Sequence, residues 1–284
     1  MLCTIDHETA YTYSERVRES YTVCHLQPIS DATQYCTGFD LSIEPRVPIF
    51  SYRDRFGNEV HHFSYLPKHD VLSICARSSI VTARPSLPEP PGPVHREAVT
   101  ADPLLPEFYD YLHESAYAAF GPALLDFAAW LGEPGEDLAA YFIRTGEAIH
   151  ELFRYDRAAT GVHTIVDEAV ELRSGVCQDF AHVYVALCRL HGIPARYVSG
   201  YIHTRSGDDV LGAEASHAWC EAYLPPYGWV GFDPTNARLI DDDFVKIAVG
   251  RDYRDVSPVR GVYKGASQGL LSVNVAVEAL TTTQ

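Results

Sequence analysis

The chain has 284 residues, enough for two domains, and 46% of them are hydrophobic, so it can bury substantial cores. Its 22 basic and 38 acidic residues give a formal net charge of −16, which repels phosphate backbones and anionic lipid headgroups. We therefore expect a folded protein that has neither nucleic acid nor a membrane as a partner.

The amino terminus lacks the basic start and apolar stretch of a secretory signal, and no run approaches the roughly 18 apolar residues of a membrane span. The seven cysteines are scattered without a CxxC pair, which is typical of reduced thiols rather than disulfides or a zinc site. These features predict a cytoplasmic protein. The aspartate run at 241–243 lacks the spacing of an EF-hand, and we expect no metal ion and no cofactor.

Residues 1–83 are predicted to form an N-terminal β-rich domain. The segment 11–26 is rich in Tyr, Val and Thr, and the runs at 39–43 and 71–75 alternate apolar and polar residues. A Phe-Gly-Asn-Glu sequence at 56–59 predicts a hairpin turn, because Gly and Asn tolerate positive φ. Several short strands with turn signals predict an antiparallel β-sandwich or barrel.

Residues 84–97 are predicted to be a linker, since five prolines disfavour both a helix and a central strand. These are Pro85, Pro88, Pro90, Pro91 and Pro93. The rest of the chain, 98–284, is predicted to be a second domain of the α+β class, because helical periodicity comes first and strand-like segments follow. The helices are predicted at 108–120, 124–131, 138–153, from 165, and from 177 to about 190. The strands are predicted at 195–202, at 215–223, at 228–235 and at 271–277.

Cys177 is the most informative residue of this second domain. It follows Gly175 and begins an apolar helix, where free backbone N–H groups and the helix dipole favour negative charge. A free cysteine titrates at about 8.5, so a nucleophile needs such help to form a thiolate. The neighbouring Asp179 would work against it unless its carboxylate faces elsewhere. His217 and Asp233 follow in strand-like runs, and a thiol, a base and a carboxylate are the parts of a nucleophilic acyl-transfer site.

The pairing of two strands decides whether the base and the carboxylate meet. If Tyr223 pairs with Trp229 across the intervening Pro-Pro-Tyr-Gly turn, Trp219 opposes Asp233, and His217 is a diagonal neighbour on the same face. Asp233 would then orient the imidazole and stabilise its charged form. A one-residue slip would put the two on opposite faces, and the sequence does not fix that register.

An acyl-transfer site also needs donors for the oxyanion. The backbone N–H of Cys177, at the start of its helix, is one candidate. Tyr155 and Trp219 are candidates for a second donor, or for a wall of the site, on their chemistry alone.

Several segments resemble the transglutaminase-like superfamily, relatives of papain-type thiol enzymes, and within it the bacterial group with a β-rich N-terminal domain. The resemblance is carried by the segments 175–182, 192–201, 216–219, 228–236 and 249–258, and more loosely by 54–58. It implies a Cys-His-Asp triad at Cys177, His217 and Asp233, with the thiol on a helix and its partners on an antiparallel sheet. Gln178 follows the nucleophile here, where animal cross-linking transglutaminases have a Trp, and their calcium-binding loops have no visible counterpart.

Three functions are compatible with these residues. The leading hypothesis, which the bacterial resemblance also implies, is a cysteine peptidase or amidase that cleaves peptide or side-chain amides through a thioester at Cys177. The first alternative is a transglutaminase, in which an amine rather than water receives the acyl group. The second is an inactive scaffold or peptide-binding protein. We expect a peptide or protein partner, and the sequence is compatible with a homo-oligomer.

Overall fold

The computed structural model describes residues 1–84, 91–204, 210–212 and 215–280. Much of the predicted proline linker, 85–90, lies outside the described residues. Strands and helices occur in a mixed order, and the α+β class with an antiparallel core sheet is confirmed. Within the described residues, no helix has both the length and the apolarity needed to cross a bilayer.

The N-terminal strands form one curled antiparallel sheet with a long strand, β1, at its centre. Its strands are β1 Leu2–Cys24, β2 Gln34–Glu44, β3 Phe50–Arg53, β4 Glu59–Tyr65 and β5 His69–Thr82. The predicted hairpin turn joins β3 to β4, which pair antiparallel. Two strands from the end of the chain, β13 Val259–Lys264 and β14 Gly269–Ala279, also pair with β1. They therefore extend the N-terminal sheet, although the sequence analysis groups them with the second domain.

The second domain begins with helices and continues into a five-stranded antiparallel sheet. The helices are α1 Arg96–Thr100, a 3₁₀ helix at Leu105–Tyr111, α2 Pro122–Leu131, α3 Leu138–Leu152, α4 Val166–Leu172, α5 Cys177–Leu190 and α6 Tyr253–Val256. The strands are β6 Arg154–Tyr155, β7 Ser174–Gly175, β8 Ala195–Ile202, β9 His217–Tyr223, β10 Trp229–Asp233, β11 Arg238–Leu239 and β12 Phe244–Gly250. The sheet order is β11-β10-β9-β8-β12.

Helix α5 lies in the centre of the core. All but the last of its residues are buried, and it packs against Ala218, Cys220 and Ala222 on one face of β9. Small residues on this face allow the helix to approach the sheet closely, and burial of its apolar side chains fixes its position. The predicted extent of this helix, from 177 to about 190, is confirmed.

One predicted helical segment is not a helix. The repeat at 116–120 lies in an extended and turn region, and only 105–111 upstream of it forms a short 3₁₀ helix. The reason is local, since the amide of Phe120 binds Glu114 and that of Tyr117 binds Asp252. Such side-chain acceptors compete with the helical pattern of backbone bonds.

Two buried amide side chains of the N-terminal domain hydrogen-bond the outer backbone groups of the edge strand of the core sheet. Asn58 bonds the backbone N–H and C=O of Val249 at 2.8 Å each. Gln34 bonds the N–H and C=O of Lys246 at 2.8 and 2.6 Å. Both partners belong to β12, an edge strand whose outer backbone groups would otherwise be unpaired. The N-terminal domain is thereby fastened to the sheet that carries His217.

Candidate active site

The turn before Cys177 is fixed by a short parallel pair of strands. Tyr155 of β6 pairs with Gly175 of β7, and the amide of Asp156 donates to the Gly175 carbonyl at 2.8 Å. A Cβ atom added to Gly175 would lie 2.5 Å from a carboxylate oxygen of Asp179, so only glycine fits there. Cys177 follows as the first residue of α5, and its side chain is only 8% exposed.

Asp179 caps the nucleophile's helix and does not face the thiol. Its Oδ2 atom accepts a hydrogen bond from the Val176 amide at 2.8 Å and one from the Thr160 hydroxyl at 2.6 Å. Burial raises the pKa of the Asp179 carboxyl. The Cys177 amide is in the first turn and so has no acceptor within the helix, which leaves it available to an oxyanion.

The structure fixes the register of β9 and β10, which the sequence leaves open. Tyr223 pairs with Trp229, and the pairing continues regularly toward His217 at the start of β9 and Asp233 at the end of β10. The two side chains lie on the same face, and His217 Nε2 is 2.9 Å from Asp233 Oδ2. Both side chains are fully buried.

His217 and Asp233 each stabilise the charged form of the other. Burial alone would lower the pKa of the His217 imidazole, but its interactions with Asp233 and Cys177 raise it to about 10. Burial would raise the pKa of Asp233, but its interactions with His217 and hydrogen bonds from Asn236 and Thr235 lower it. A charged imidazolium beside an ionised carboxylate is thus the favoured state at neutral pH.

The second ring nitrogen, His217 Nδ1, is the one that does not bind Asp233. It is buried and has no hydrogen bond of standard geometry within the described part of the chain. The charge and hydrogen bonding of Cys177 contribute to the raised pKa of the His217 imidazole. The structure thus pairs His217 with Asp233 and has Cys177 acting on the same imidazole. The assignment of the three residues as a catalytic triad stays a prediction.

Asn236 is a residue of this site to which the sequence analysis gives no role. Its Nδ2 atom donates to Asp233 Oδ2 at 2.7 Å and to the Leu211 carbonyl at 3.2 Å, while its Oδ1 atom accepts from the Leu211 amide at 2.9 Å. It therefore fixes the carboxylate and also the segment at 210–212. Its position three residues after Asp233 is the only sequence signal that could have indicated this.

The segment that Asn236 holds packs directly over the imidazole. A Cβ atom added to Gly212 would lie 2.8 Å from His217 Nδ1 and 3.5 Å from the Tyr155 hydroxyl. Gly212 has a φ of +81°, which also favours glycine. The backbone at 212 thus forms a wall beside His217 Nδ1.

The two candidates for the second oxyanion donor lie in different surroundings. Tyr155 is half-buried, and its hydroxyl lies near Gly212 on the Nδ1 side of His217. Trp219 is fully buried, with its ring 6.5 Å from that of His217 and 5.4 Å from that of Phe244. Its indole Nε1 has no hydrogen-bond partner among the described residues. Tyr155 is therefore nearer to where a substrate could approach.

No cation site accompanies these groups in the described residues, which contain no cluster of three or more His, Cys, Asp or Glu side chains suited to holding a metal ion. The arrangement itself supplies a thiol, a proton carrier and a carboxylate, together with backbone N–H groups at a helix start. These are the components of nucleophilic acyl transfer through a covalent thioester.

Comparison with known families agrees with this geometry. Residues 135–234 match the model of the transglutaminase-like superfamily, and residues 3–81 match that of the bacterial transglutaminase-like N-terminal region. The chain belongs to the transglutaminase-like superfamily, whose members are typically cysteine-dependent enzymes. The resemblance stated from the sequence is thereby confirmed.

Three individual proteins illustrate the relationship. An uncharacterized protein of Mycobacterium tuberculosis is 33% identical over 300 residues, covering 96% of this chain and 91% of that protein. A protein-glutamine gamma-glutamyltransferase of Pseudomonas aeruginosa is 35% identical over 92 residues, which are 30% of this chain and 14% of that protein. The solved structure of a candidate cysteine protease from Cytophaga hutchinsonii has a TM-score of 0.76 at 22% identity, covering 100% of this chain and 93% of that one. At this identity the structural likeness shows the shared fold.

Proposed function

We propose that this protein is a cysteine peptidase or amidase that cleaves peptide or side-chain amide bonds through a thioester at Cys177. The observation that carries the proposal is the buried His217–Asp233 pair, 2.9 Å apart, beside a cysteine at a helix start. A buried ion pair without a functional partner is costly to a fold. Next to a thiol, the His217–Asp233 pair has a catalytic use, because Asp233 keeps the imidazole charged and oriented for proton transfer.

The chemistry uses each member of the triad in turn. The Cys177 thiolate attacks the amide carbonyl carbon, and the oxyanion that forms accepts a hydrogen bond from the Cys177 amide. The His217 imidazolium gives its proton to the leaving amine as the C–N bond breaks, which leaves a thioester. His217 then removes a proton from water, the resulting hydroxide displaces the thiolate, and the acid is released. Asp233 holds the ring orientation throughout.

Amide turnover by the purified full-length chain tests this proposal. The wild-type protein is expected to release free acid and amine from peptide or glutamine-amide substrates, and Cys177→Ala is expected to abolish that release. Cys75→Ala is the matched control, since Cys75 lies on β5 of the N-terminal sheet. Undiminished turnover by Cys177→Ala would refute the proposal.

The second candidate function is acyl transfer to an amine, favoured by the match to the Pseudomonas glutamyltransferase over 92 residues. Both reactions share the thioester and differ only in the nucleophile that resolves it. We expect hydrolysis to be the main reaction, because it does not require a bound amine acceptor. Incubating the enzyme with a glutamine peptide and a fluorescent primary amine separates the two. Conversion of the peptide's glutamine to a glutamate residue supports hydrolysis, whereas incorporation of the amine without that conversion supports transfer; ammonia is released in both reactions.

A further inference from the structure

A cavity of about 710 Å³ lies between the N-terminal domain and the core sheet. The N-terminal domain contributes the loop 27–33, part of the β3–β4 hairpin and Arg84. The core contributes Arg196, Glu221, Trp229 and Lys246 from four adjacent strands. Its volume falls within the range of about 300–1,000 Å³ that is typical of small-molecule sites, which often occur at domain interfaces.

Most of the charges that line this cavity are paired with one another. Lys246 Nζ is 2.9 Å from Glu221 and 3.0 Å from Asp31. Arg196 binds Glu221 through Nε and Nη2 at 2.8 and 2.6 Å. These two cations and two anions balance, and both Lys246 and Glu221 are buried. A second pair, Arg53 with Glu59, lies at the rim.

Among the described residues that line the cavity, Arg84 is the charge that remains without a carboxylate partner. Its Nη1 atom donates to the Asp241 carbonyl at 2.6 Å, but its buried Nη2 atom has no acceptor in the described part of the chain. Four carboxylates are near enough to act on its charge, but each has another partner. Glu221 and Asp31 bind Lys246, Asp242 accepts from the backbone amide of Arg84, and Asp241 pairs with Arg238. A buried guanidinium donor without an acceptor is unfavourable, and a bound anion would remove that penalty.

The rest of the cavity wall suits an apolar or aromatic body. The Arg196 guanidinium lies 4.1 Å from the centre of the Trp229 ring, which holds the indole in place. Pro28, Ile29 and Phe56 add apolar surface. The nearby carboxylates of the ion network disfavour a doubly charged ligand, so a single negative charge fits this surface best.

The cavity is distinct from the candidate active site. Glu221 and His217 are four residues apart on β9, which places them about 13 Å from each other along the strand. The fully buried side chains of Trp219 and Phe244 fill the space on this face of the sheet between them. A ligand in the cavity would therefore not contact Cys177.

We propose that this cavity binds a small organic monocarboxylate, whose carboxylate accepts from Arg84 and whose apolar body packs against Trp229. The proposal goes beyond amide cleavage and does not depend on the chemistry at Cys177. Because both domains line the cavity, a bound carboxylate would join the N-terminal domain to the core sheet.

Calorimetric titration with a matched pair of probes tests the charge requirement. N-acetylphenylalanine carries a carboxylate, and N-acetylphenylalaninamide has the same shape without the charge. The full-length Cys177→Ala protein is used so that the amide is not turned over. The carboxylate is expected to bind at least about tenfold more tightly than the amide, the effect of one charge-assisted hydrogen bond. Equal affinities, or no binding of the carboxylate at millimolar concentration, would overturn the proposal.

Substitutions at Arg84 locate the site. Arg84→Gln is expected to reduce carboxylate affinity to that of the amide, and Arg84→Lys, which keeps the charge, to retain part of the preference. Arg77→Gln is the matched control, since Arg77 is exposed on β5 and pairs with Asp6 outside the cavity. Thermal unfolding confirms that each variant is folded. A carboxylate preference that survives Arg84→Gln, or competition by inorganic phosphate at equal concentration, would contradict the assignment.

Discussion

Asn236 donates to Asp233 Oδ2 at 2.7 Å and thus shares with His217 the oxygen that orients the imidazole. The same amide group holds Leu211 through both of its backbone groups. One side chain therefore fixes both the carboxylate of the candidate triad and the wall over its histidine.

We predict that Asn236→Ala lowers kcat by about tenfold or more, because a hydrogen bond to a charged group is lost. The loss of the bonds to Leu211 should raise KM as well, since the wall beside His217 is no longer held. Steady-state kinetics on an amide substrate measure both effects. Asn274→Ala, on the exposed part of β14, is the control and should behave as the wild type. An unchanged kcat in Asn236→Ala would show that Asp233 needs no such support.

The pH dependence of the reaction should report the His217–Asp233 pair. The pKa of His217 is raised to about 10, so the imidazole stays charged through neutral pH and loses its proton only as the pH rises toward that value. We expect the alkaline limb of kcat/KM to lie well above pH 8 in the wild type. In Asp233→Asn the negative partner is gone, and that limb should move to lower pH, with kcat falling by about 100-fold or more. Asp6→Asn, on the surface, is the control. If the pH profile of kcat/KM for Asp233→Asn has the same shape as that of the wild type, this account is contradicted.

Thiol labelling separates an active site from an inactive scaffold. Iodoacetamide at neutral pH should modify Cys177 first, because reactive cysteines lie at helix starts and beside a charged imidazole. The half-buried Cys36 and Cys75 should react slowly, since burial raises the pKa of both thiols. Peptide mass spectrometry over a time course gives the rate at each site. His217→Ala should slow the labelling of Cys177 and leave the other two rates unchanged; no difference at Cys177 would favour the scaffold.

Much of the fold and the candidate site could be predicted from the sequence because the signals are local. The periodicity of 177–190 indicates a buried helix, and the turn at 225–228 allows a register that brings His217 and Asp233 to one face. What the sequence did not fix depends on contacts between distant segments. The pairing of β13 and β14 with β1 spans most of the chain, and a strand pattern does not specify its partner. For the same reason the predicted sandwich or barrel is a single curled sheet.

The roles of the Asn236 and Arg84 side chains could not be predicted from the sequence either, because they depend on contacts between distant segments. An asparagine after a strand is usually a turn residue, and only the folded chain shows that it binds both Asp233 and Leu211. Arg84 lies at the start of a proline-rich segment, where the composition predicts a linker. Only the folded chain shows that both domains line a cavity around it and that its buried Nη2 atom has no acceptor among the described residues.

The helix cap at Asp179 gives a prediction about stability. Asp179→Ala removes the acceptor of both the Val176 amide and the Thr160 hydroxyl, and should lower the free energy of unfolding by about 1–3 kcal/mol. Asp179→Asn keeps an acceptor oxygen and should cost less. Because burial raises the pKa of Asp179, the folded state binds the proton more tightly than the unfolded state does, and the stability that this proton supplies is lost as the pH rises through the folded-state pKa. Urea unfolding should therefore show the Asp179→Asn variant gaining stability relative to the wild type as the pH rises; a constant difference would contradict it.

Tyr155 is the candidate for the second oxyanion donor that the geometry favours. Its hydroxyl lies near Gly212, which also borders His217 Nδ1, and its backbone pairs with Gly175 two residues before Cys177. Tyr155→Phe removes only the hydroxyl, so substrate binding should change little, whereas kcat should fall by about 100-fold, as for the loss of one oxyanion donor. Steady-state kinetics separate kcat from KM, and Tyr109→Phe, an exposed tyrosine, is the control. Trp219→Phe should instead act mainly on stability, because Trp219 is buried against Phe244. A larger loss of kcat in Trp219→Phe than in Tyr155→Phe would reverse this assignment.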